Sequence, residues 1–193
     1  MEPDALLAVL STAERLKCNL RHCSTSSGRQ ESVAEHSWRL ALLAFLVKDE
    51  FPEADMDKVI RMCLIHDLGE AFTGDIPAFQ KNTSDCIRED QLFSSWIQTL
   101  PEPYQTEFRD LLKEMNALET EESKIYKALD KLEAVIQHNE SDLRTWLPLE
   151  YELQFTYASD SVSFSPYLQR LKTRVDQWTH MKIRESQKEQ DLS

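Results

Sequence analysis

The chain has 193 residues, of which 41% are hydrophobic and 29% charged, a composition typical of one globular domain. Its formal net charge of -12 argues against a polymeric nucleic acid as partner, because phosphate backbones are bound by clustered Lys and Arg. The densest apolar run, residues 40–47, is too short to span a bilayer, and Glu2 and Asp4 do not fit a signal peptide. We therefore expect a cytoplasmic protein without a membrane partner.

Apolar residues recur at three- and four-residue spacing along most of the chain, which predicts a mostly helical structure. A first helix is indicated by the leucines from Leu6 to Leu10. The second is predicted to begin at Ser32, because Glu35 three residues later completes a capping-box pattern. A third is predicted over residues 57–71.

The second half of the chain continues the helical pattern. Further helices are predicted over residues 85–99, 102–117, 121–139 and 166–185, the last beginning with Pro166 in its first position. Between them, residues 140–164 are the least regular and fit either a long loop or a short strand pair. The polar tail, about residues 186–193, is expected to be frayed. These patterns predict one all-α domain over residues 1–193.

The residues best suited to metal binding or catalysis lie in CLIHDLGEAFTGDIP, residues 63–77. His66 and Asp67 are adjacent, Glu70 follows on the same general face of the predicted helix, and Asp75 lies just past its end. Burying His, Asp and Glu together costs free energy unless a positive group compensates them. A divalent cation would do so, since imidazole and carboxylate suit Mn, Fe, Co, Ni or Zn.

Further ligands for such an ion must come from other helices, because adjacent helical residues point about 100° apart and flank an ion from one side only. His36, near the start of the second helix, and Asp130, beside the apolar stripe of the 121–139 helix, are candidates. Each alone has a simpler interpretation, as a structural histidine or as a solvated carboxylate. Their occurrence together with the pair His66–Asp67 favours a metal site.

The joint pattern resembles the HD-domain metal-dependent phosphohydrolases, and within them the small 5′-deoxynucleotidases. The matching strings are RQESVAEHS (29–37), LIHDLGEAFTGDIP (64–77) and KALDKLEA (127–134). The resemblance covers about residues 14–180, the expected core of a single HD-domain helical bundle. It also implies a homodimer, since such relatives are usually dimeric.

The resemblance implies one divalent transition metal per chain, Co, Mn, Fe, Ni or Zn, with the ligands His36, His66, Asp67 and Asp130. Some HD enzymes hold two metals by means of extra histidines between the His–Asp pair and the last aspartate. This sequence has no histidine between Asp67 and Asp130, which favours a mononuclear site. A two-metal cyclic-dinucleotide phosphodiesterase and a di-iron oxygenase of the same fold are therefore disfavoured.

The remaining functional residues are also implied by the resemblance. Glu70 corresponds to the catalytic glutamate, and Arg21 to an arginine whose planar fork orients the phosphate. Asp75 would accept a hydrogen bond from the sugar hydroxyl. His36 lies in the first turn of its helix, a mildly positive place suited to phosphate. The nucleoside wall would be completed by Ile76, Pro77 and Ala78.

The sequence departs from this pattern beside the phosphate-orienting arginine. Several relatives have an aromatic residue where this chain has His22, and some have a second basic residue where it has Ser26. His22 would contact the phosphate or help in proton transfer, or be a plain loop histidine.

The resulting prediction is a 5′-deoxynucleotidase that converts deoxyribonucleoside 5′-monophosphates to nucleoside and phosphate. The alternatives are an HD phosphohydrolase for nucleoside di- or triphosphates or a nucleotide analogue, and a non-catalytic nucleotide-binding regulator.

Overall fold

The computed structural model describes residues 1–191, with the side chains of residues up to 188. The helices are α1 (Pro3–Glu14), α2 (Val33–Leu46), α3 (Met56–Ile65), α4 (Glu70–Thr73), α5 (Thr83–Ile97), α6 (Tyr104–Ala117), α7 (Glu121–Glu140), α8 (Glu150–Thr156) and α9 (Pro166–Asp191). Strands β1 (Leu20–Ser24) and β2 (Gln30–Ser32) pair in a two-stranded sheet. Because this small sheet is the only β-structure within residues 1–191, the predicted all-α fold class is confirmed.

Residues 140–164 differ from the prediction, since they contain neither a strand pair nor one long loop. A 3₁₀ turn at Leu143–Thr145 leads to the seven-residue helix α8. The ends of α8 are bonded by side chains: Glu150 Oε2 accepts from the Leu147 N–H at 2.6 Å, and Lys172 Nζ donates to the Phe155 carbonyl at 3.0 Å. Such a short helix depends on these contacts and leaves little periodicity in the sequence.

The predicted polar tail lies partly in α9, which continues to Asp191, beyond the predicted helix end at residue 185. Residues 192 and 193 lie outside the described part of the chain. The expected fraying of residues 186–193 stays a prediction.

The chain divides into two compact units, although the prediction of one domain over residues 1–193 is not tested by this division. The first unit contains Met1–His22 and Glu31–Tyr126. In it α2 packs against α3, and the fully buried side chains of the two helices form its centre. These are Val33, Leu40, Ala44, Val59, Met62 and Cys63.

The second unit contains residues 23–30 and the described residues from 127 onward. Its interior includes a network of buried polar side chains. Thr179 Oγ1 donates to Asn139 Oδ1 at 3.0 Å, and Asn139 Nδ2 donates to the Val175 carbonyl at 3.3 Å. Gln137 Nε2 donates to the Ser24 carbonyl at 2.8 Å. Bonding of this kind offsets the cost of burying polar groups.

The first unit also exposes apolar side chains on two of its helices. On α2 they lie about one turn apart and are Trp38, Leu42, Phe45 and Leu46; on α1 they are Leu6, Leu7 and Leu10. Trp38 is 64% exposed, so α2 has an apolar outer face. Among the helices of residues 1–191, none has both the length and the apolar character needed to cross a membrane.

Candidate active site

The start of α2 is built as the sequence predicts. The Ser32 hydroxyl accepts from the Glu35 N–H at 3.3 Å, and Glu35 Oε2 accepts from the Ser32 N–H at 2.9 Å. This capping box fixes where the helix begins and places His36 in its first turn, fully buried. The Asn19 carbonyl accepts from the Val33 N–H at 3.0 Å, while Asn19 Nδ2 donates to the Glu70 carbonyl at 2.6 Å. Asn19 therefore joins the start of α2 to the start of α4.

The predicted continuous helix over residues 57–71 is wrong, because α3 ends at Ile65 and residues 66–69 form tight turns. Hydrogen bonds to the third residue back replace the α-helical pattern, as from the Leu68 N–H to the Ile65 carbonyl at 3.1 Å and from the Glu70 N–H to the Asp67 carbonyl at 3.0 Å. His66 and Asp67 therefore lie on a turn between two helices, and Glu70 is the first residue of the next helix, α4. The expected single helical face does not exist there.

Gly69 allows a neighbouring helix to approach this turn. A Cβ atom at Gly69 would lie 2.9 Å from Cγ of Glu89 on α5, closer than such atoms come. The backbone at Gly69 has ordinary helical angles (φ -58°, ψ -33°), so the glycine is needed for space and its conformational freedom is not used. Glu89 Oε2 in turn lies 2.7 Å from Lys81 Nζ.

His36, His66 and Asp67 come together in the first unit. Asp67 Oδ2 lies 2.9 Å from His66 Nε2 and 3.9 Å from His36 Nε2, and the two imidazole centroids are 5.2 Å apart. One ligand atom of each residue lies within 4.8 Å of the other two, close enough for a single metal ion to reach all three. The structure thus contains a possible His/Asp metal site.

The tautomer of His66 is compatible with a bound metal ion. His66 Nδ1 lies 2.9 Å from the Cys63 carbonyl oxygen, which can only accept a hydrogen bond, so Nδ1 carries the proton. In the neutral ring, Nε2 then directs a lone pair towards a carboxylate oxygen of Asp67 only 2.9 Å away. Two electron-rich atoms at this distance repel each other unless a cation or a proton lies between them. The donor set therefore fits a divalent transition metal.

Glu70, the first residue of α4, is 5% exposed. Burial, followed by the nearby charges of Asp67, Asp75 and Glu89, raises the pKa of Glu70 to about 10. Among the described residues none forms a hydrogen bond with Glu70 Oε2. Glu70 is therefore a buried carboxyl group with an unbonded oxygen, next to the candidate metal ligands.

Arg21 and Lys81 provide the positive charge near these acids. Burial raises the pKa of Asp75, while the positive charges of Arg21 and Lys81 act in the opposite direction. Arg21 Nε lies 3.5 Å from a carboxylate oxygen of Glu31, one strand away in the small sheet. Arg21 therefore lies among acidic side chains, and charge-assisted contacts with them would hold its guanidinium in a fixed orientation.

The predicted nucleoside-binding residues follow the same turn along the chain. His22 packs edge-on against the ring of Phe79, with centroids 5.6 Å apart and an interplanar angle of 89°. Ile76 and Pro77 are half-buried and Ala78 is exposed. His22 is thus in contact with the segment that follows the predicted wall, through a residue, Phe79, that the sequence did not single out.

The structure does not test the remaining predicted ligand. Asp130 belongs to the second unit, on α7, where its Oδ2 atom lies 2.8 Å from Lys127 Nζ. Its participation in the ligand set stays a prediction.

Four residues of this region were missed by the sequence analysis: Asn19, Glu31, Lys81 and Glu89. Asn19 and Glu31 lie in short segments where no periodicity marks a buried position. Lys81 and Glu89 resemble ordinary surface charges in the sequence, and their place is revealed only by their contact with each other and by the close approach of Glu89 to Gly69. An acidic residue directly before the cap residue Ser32 was the only signal for Glu31.

Known proteins share this fold and sequence pattern. The HD domain family model matches residues 13–172. Bovine 5′-deoxynucleotidase HDDC2 is 33% identical over 118 residues, covering 58% of this chain and 55% of its own, so the match spans about half the length of that relative. The 5′-deoxynucleotidase YBR242W of Saccharomyces cerevisiae is 26% identical over 195 residues, covering 96% of this chain and 77% of its own.

A solved structure agrees with these relatives. The crystal structure of a "predicted metal-dependent phosphohydrolase" from Magnetospirillum magnetotacticum superposes with a TM-score of 0.79 at 27% identity, covering 95% of this chain and 96% of that one. The adjacent His66 and Asp67 lie within the matched segment. The chain belongs to the HD domain family.

Proposed function

We propose that this protein is a metal-dependent 5′-deoxynucleotidase, a phosphoric monoester hydrolase that converts deoxyribonucleoside 5′-monophosphates to nucleoside and inorganic phosphate. The observation that carries the proposal is the cluster of His36, His66 and Asp67 beside the buried carboxyl group of Glu70. The names of the bovine and yeast relatives support the choice of substrate.

One divalent transition metal per chain, Co, Mn, Fe, Ni or Zn, would be held by His36, His66 and Asp67, with Asp130 as the fourth ligand. Two neutral imidazoles and two carboxylates would balance the charge of the ion. Such an ion, when bound, polarises the phosphoryl group and makes a water molecule more acidic.

The side chains of this chain would bind and orient the phosphate. Arg21 presents a planar fork that matches two phosphate oxygens, and its contact with Glu31 restricts the positions that the fork can take. His36 lies in the first turn of α2, where the positive end of the helix dipole favours an anion. These groups would stabilise the charge that develops during phosphoryl transfer.

Glu70 would take part in proton transfer. Its unbonded oxygen can hold the attacking water, and the protonated form that its raised pKa favours can pass a proton to the leaving 5′ oxygen. Its burial excludes bulk water from these transfers.

The nucleoside would bind along the segment after Gly74. Asp75 would accept a hydrogen bond from the sugar hydroxyl, and Ile76, Pro77 and Ala78 would form the wall. The contact between His22 and Phe79 supports a place for His22 on this side of the substrate.

A homodimer is the proposed assembly, in keeping with the resemblance. The exposed outer face of α2, with Trp38 and Phe45 two turns apart, supports this choice because such faces favour contact with another protein surface. Replacing Trp38 by Glu should shift the protein to monomer in light scattering, and an unchanged mass would assign the interface to another face. We propose a cytoplasmic location, with neither polymeric nucleic acid nor membrane as partner.

The substrate class is tested by assaying dAMP, AMP and dATP side by side with Mn²⁺ or Co²⁺. We expect phosphate release from dAMP and little from dATP. Turnover of dATP with dAMP left intact would favour the di- and triphosphate alternative, and binding of dAMP without any turnover would favour the regulator.

A further inference from the structure

Glu31 is a buried acidic residue to which the proposed function gives no role of its own. It lies in β2 and is only 2% exposed. An ionised carboxylate at such a depth is unfavourable unless charged or polar groups compensate it. A charge at this position therefore depends on partners close to Glu31.

Two residues of the proposed site surround this carboxylate. Arg21 Nε lies 3.5 Å from Glu31 Oε2. A carboxylate oxygen of Glu31 also lies within 4.8 Å of a ring nitrogen of His36. Arg21 is the proposed phosphate-binding arginine and His36 is a proposed metal ligand. Glu31 therefore lies beside one residue that would bind phosphate and one that would bind the metal.

One ring nitrogen of His36 is on the side of the candidate metal site, since Nε2 lies 3.9 Å from Asp67 Oδ2. A metal-bound histidine commonly donates its other ring N–H to a carboxylate, a carbonyl or a water, which fixes the orientation of the ring. A carboxylate has two oxygens and about four lone-pair positions, enough to accept from an imidazole and a guanidinium together.

We propose that Glu31 is a positioning residue that orients the His36 imidazole towards the metal and the Arg21 guanidinium towards the phosphate. The inference rests on the proposed function for the roles of Arg21 and His36. Through this one side chain, metal binding and phosphate binding share a support, and a change at Glu31 affects both.

The test compares Glu31→Gln with the wild-type full chain in two measurements. The first is Co²⁺ affinity of metal-stripped protein by competition with a chelator, which needs no turnover. The second is the KM for dAMP with saturating Co²⁺. Loss of a carboxylate behind a metal-bound histidine weakens metal binding about 10–100-fold, and loss of a charged partner of Arg21 raises KM roughly tenfold.

Two further variants separate positioning from general damage. Arg21→Gln should raise KM and leave Co²⁺ affinity unchanged, because it removes a group that binds phosphate and no metal ligand. Glu150→Gln is the matched control, since Glu150 is also a buried glutamate beside a histidine, 3.5 Å from His138 Nε2, but in the second unit. It should change neither quantity.

Wild-type Co²⁺ affinity and KM in a folded Glu31→Gln protein would overturn the proposal. If that variant does not fold, as judged by circular dichroism, Glu31→Asp is measured in its place, since it keeps the charge but withdraws the carboxylate by one methylene. Weakened Co²⁺ binding in Glu31→Asp supports positioning, and wild-type binding contradicts it. Should the wild type fail to hydrolyse any nucleotide, the proposed function fails, but the Co²⁺ measurement still decides the role of Glu31.

Discussion

His66 Nδ1 lies 2.9 Å from the carbonyl oxygen of Cys63, one turn earlier in α3. This contact uses a carbonyl at the end of the helix, where the last turn lacks backbone partners. It also fixes which nitrogen of His66 carries a proton, so that the other nitrogen faces Asp67. This one hydrogen bond thus gives the Cys63 carbonyl at the end of α3 a partner and orients a proposed metal ligand.

Replacing His66 by Ala should abolish stable metal binding, because it removes a ligand nitrogen, Nε2, that lies 2.9 Å from Asp67 Oδ2. The measurement is metal content after dialysis, by elemental analysis. His180→Ala is the control: His180 is exposed and stacks on Phe155, in the second unit. Equal metal content in the two variants would contradict the proposed ligand set.

Replacing Glu70 by Gln should leave metal content unchanged and lower kcat by roughly 10²–10⁴-fold, the usual contribution of a proton-transferring group. Gln keeps the size of the side chain but can neither accept nor release the proton. Metal analysis and steady-state kinetics on the same preparation check both halves. If kcat stayed within twofold of the wild type, Glu70 would have no part in the reaction.

Replacing Gly69 by Ala should destabilise the turn by about 1–3 kcal/mol, the usual cost of an added methyl group in a packed place. The cause is the 2.9 Å approach of Glu89 Cγ, since the backbone angles at Gly69 suit alanine. Urea unfolding measures the loss. The double variant Gly69→Ala/Glu89→Ala should recover much of it relative to Glu89→Ala alone; no recovery would show that another contact is responsible.

Glu122 should contribute to stability only above acidic pH. The pKa of its carboxyl is lowered by a hydrogen bond from its own backbone N–H, by another from the Asp55 N–H at 3.1 Å, and by Lys58, with Nζ 3.4 Å away. A carboxyl whose folded pKa is depressed stabilises the protein above its unfolded pKa, and this contribution is lost as pH falls through the folded pKa.

Glu122→Gln should therefore lower the free energy of unfolding by about 0.2–1 kcal/mol at neutral pH, the range for a largely solvated ion pair. The difference from the wild type should shrink as the pH falls below 4.5, the ordinary pKa of this group. Urea unfolding at several pH values measures it. A difference that stays constant through the acid range would show that the charge of Glu122 is irrelevant.

Much of the fold could be predicted from local signals. The capping box at Ser32 and Glu35 and the Ser165–Pro166 start of α9 are short-range patterns with a direct physical cause, and both are found. The break after Ile65 was missed, because the apolar periodicity continues through residues that form tight turns. The small sheet and α8 were missed because both are too short to show a period.

The sequence predicts the candidate site only in part as well. His36, His66, Asp67 and Glu70 have side chains whose chemistry is readable when they occur together in a sequence. The residues that support them, such as Asn19 and Glu31, act through distances of a few ångströms to residues far along the chain or on another strand. No spacing rule predicts such contacts, so they require coordinates.

Metal-dependent hydrolysis of a deoxyribonucleoside 5′-monophosphate can be measured as phosphate release from dAMP on metal-stripped protein. We expect no release without added metal, and release that appears on titration with Mn²⁺ or Co²⁺ and saturates near one ion per chain. Equal release with and without metal, or no release from dAMP at any metal concentration, would contradict the proposed function.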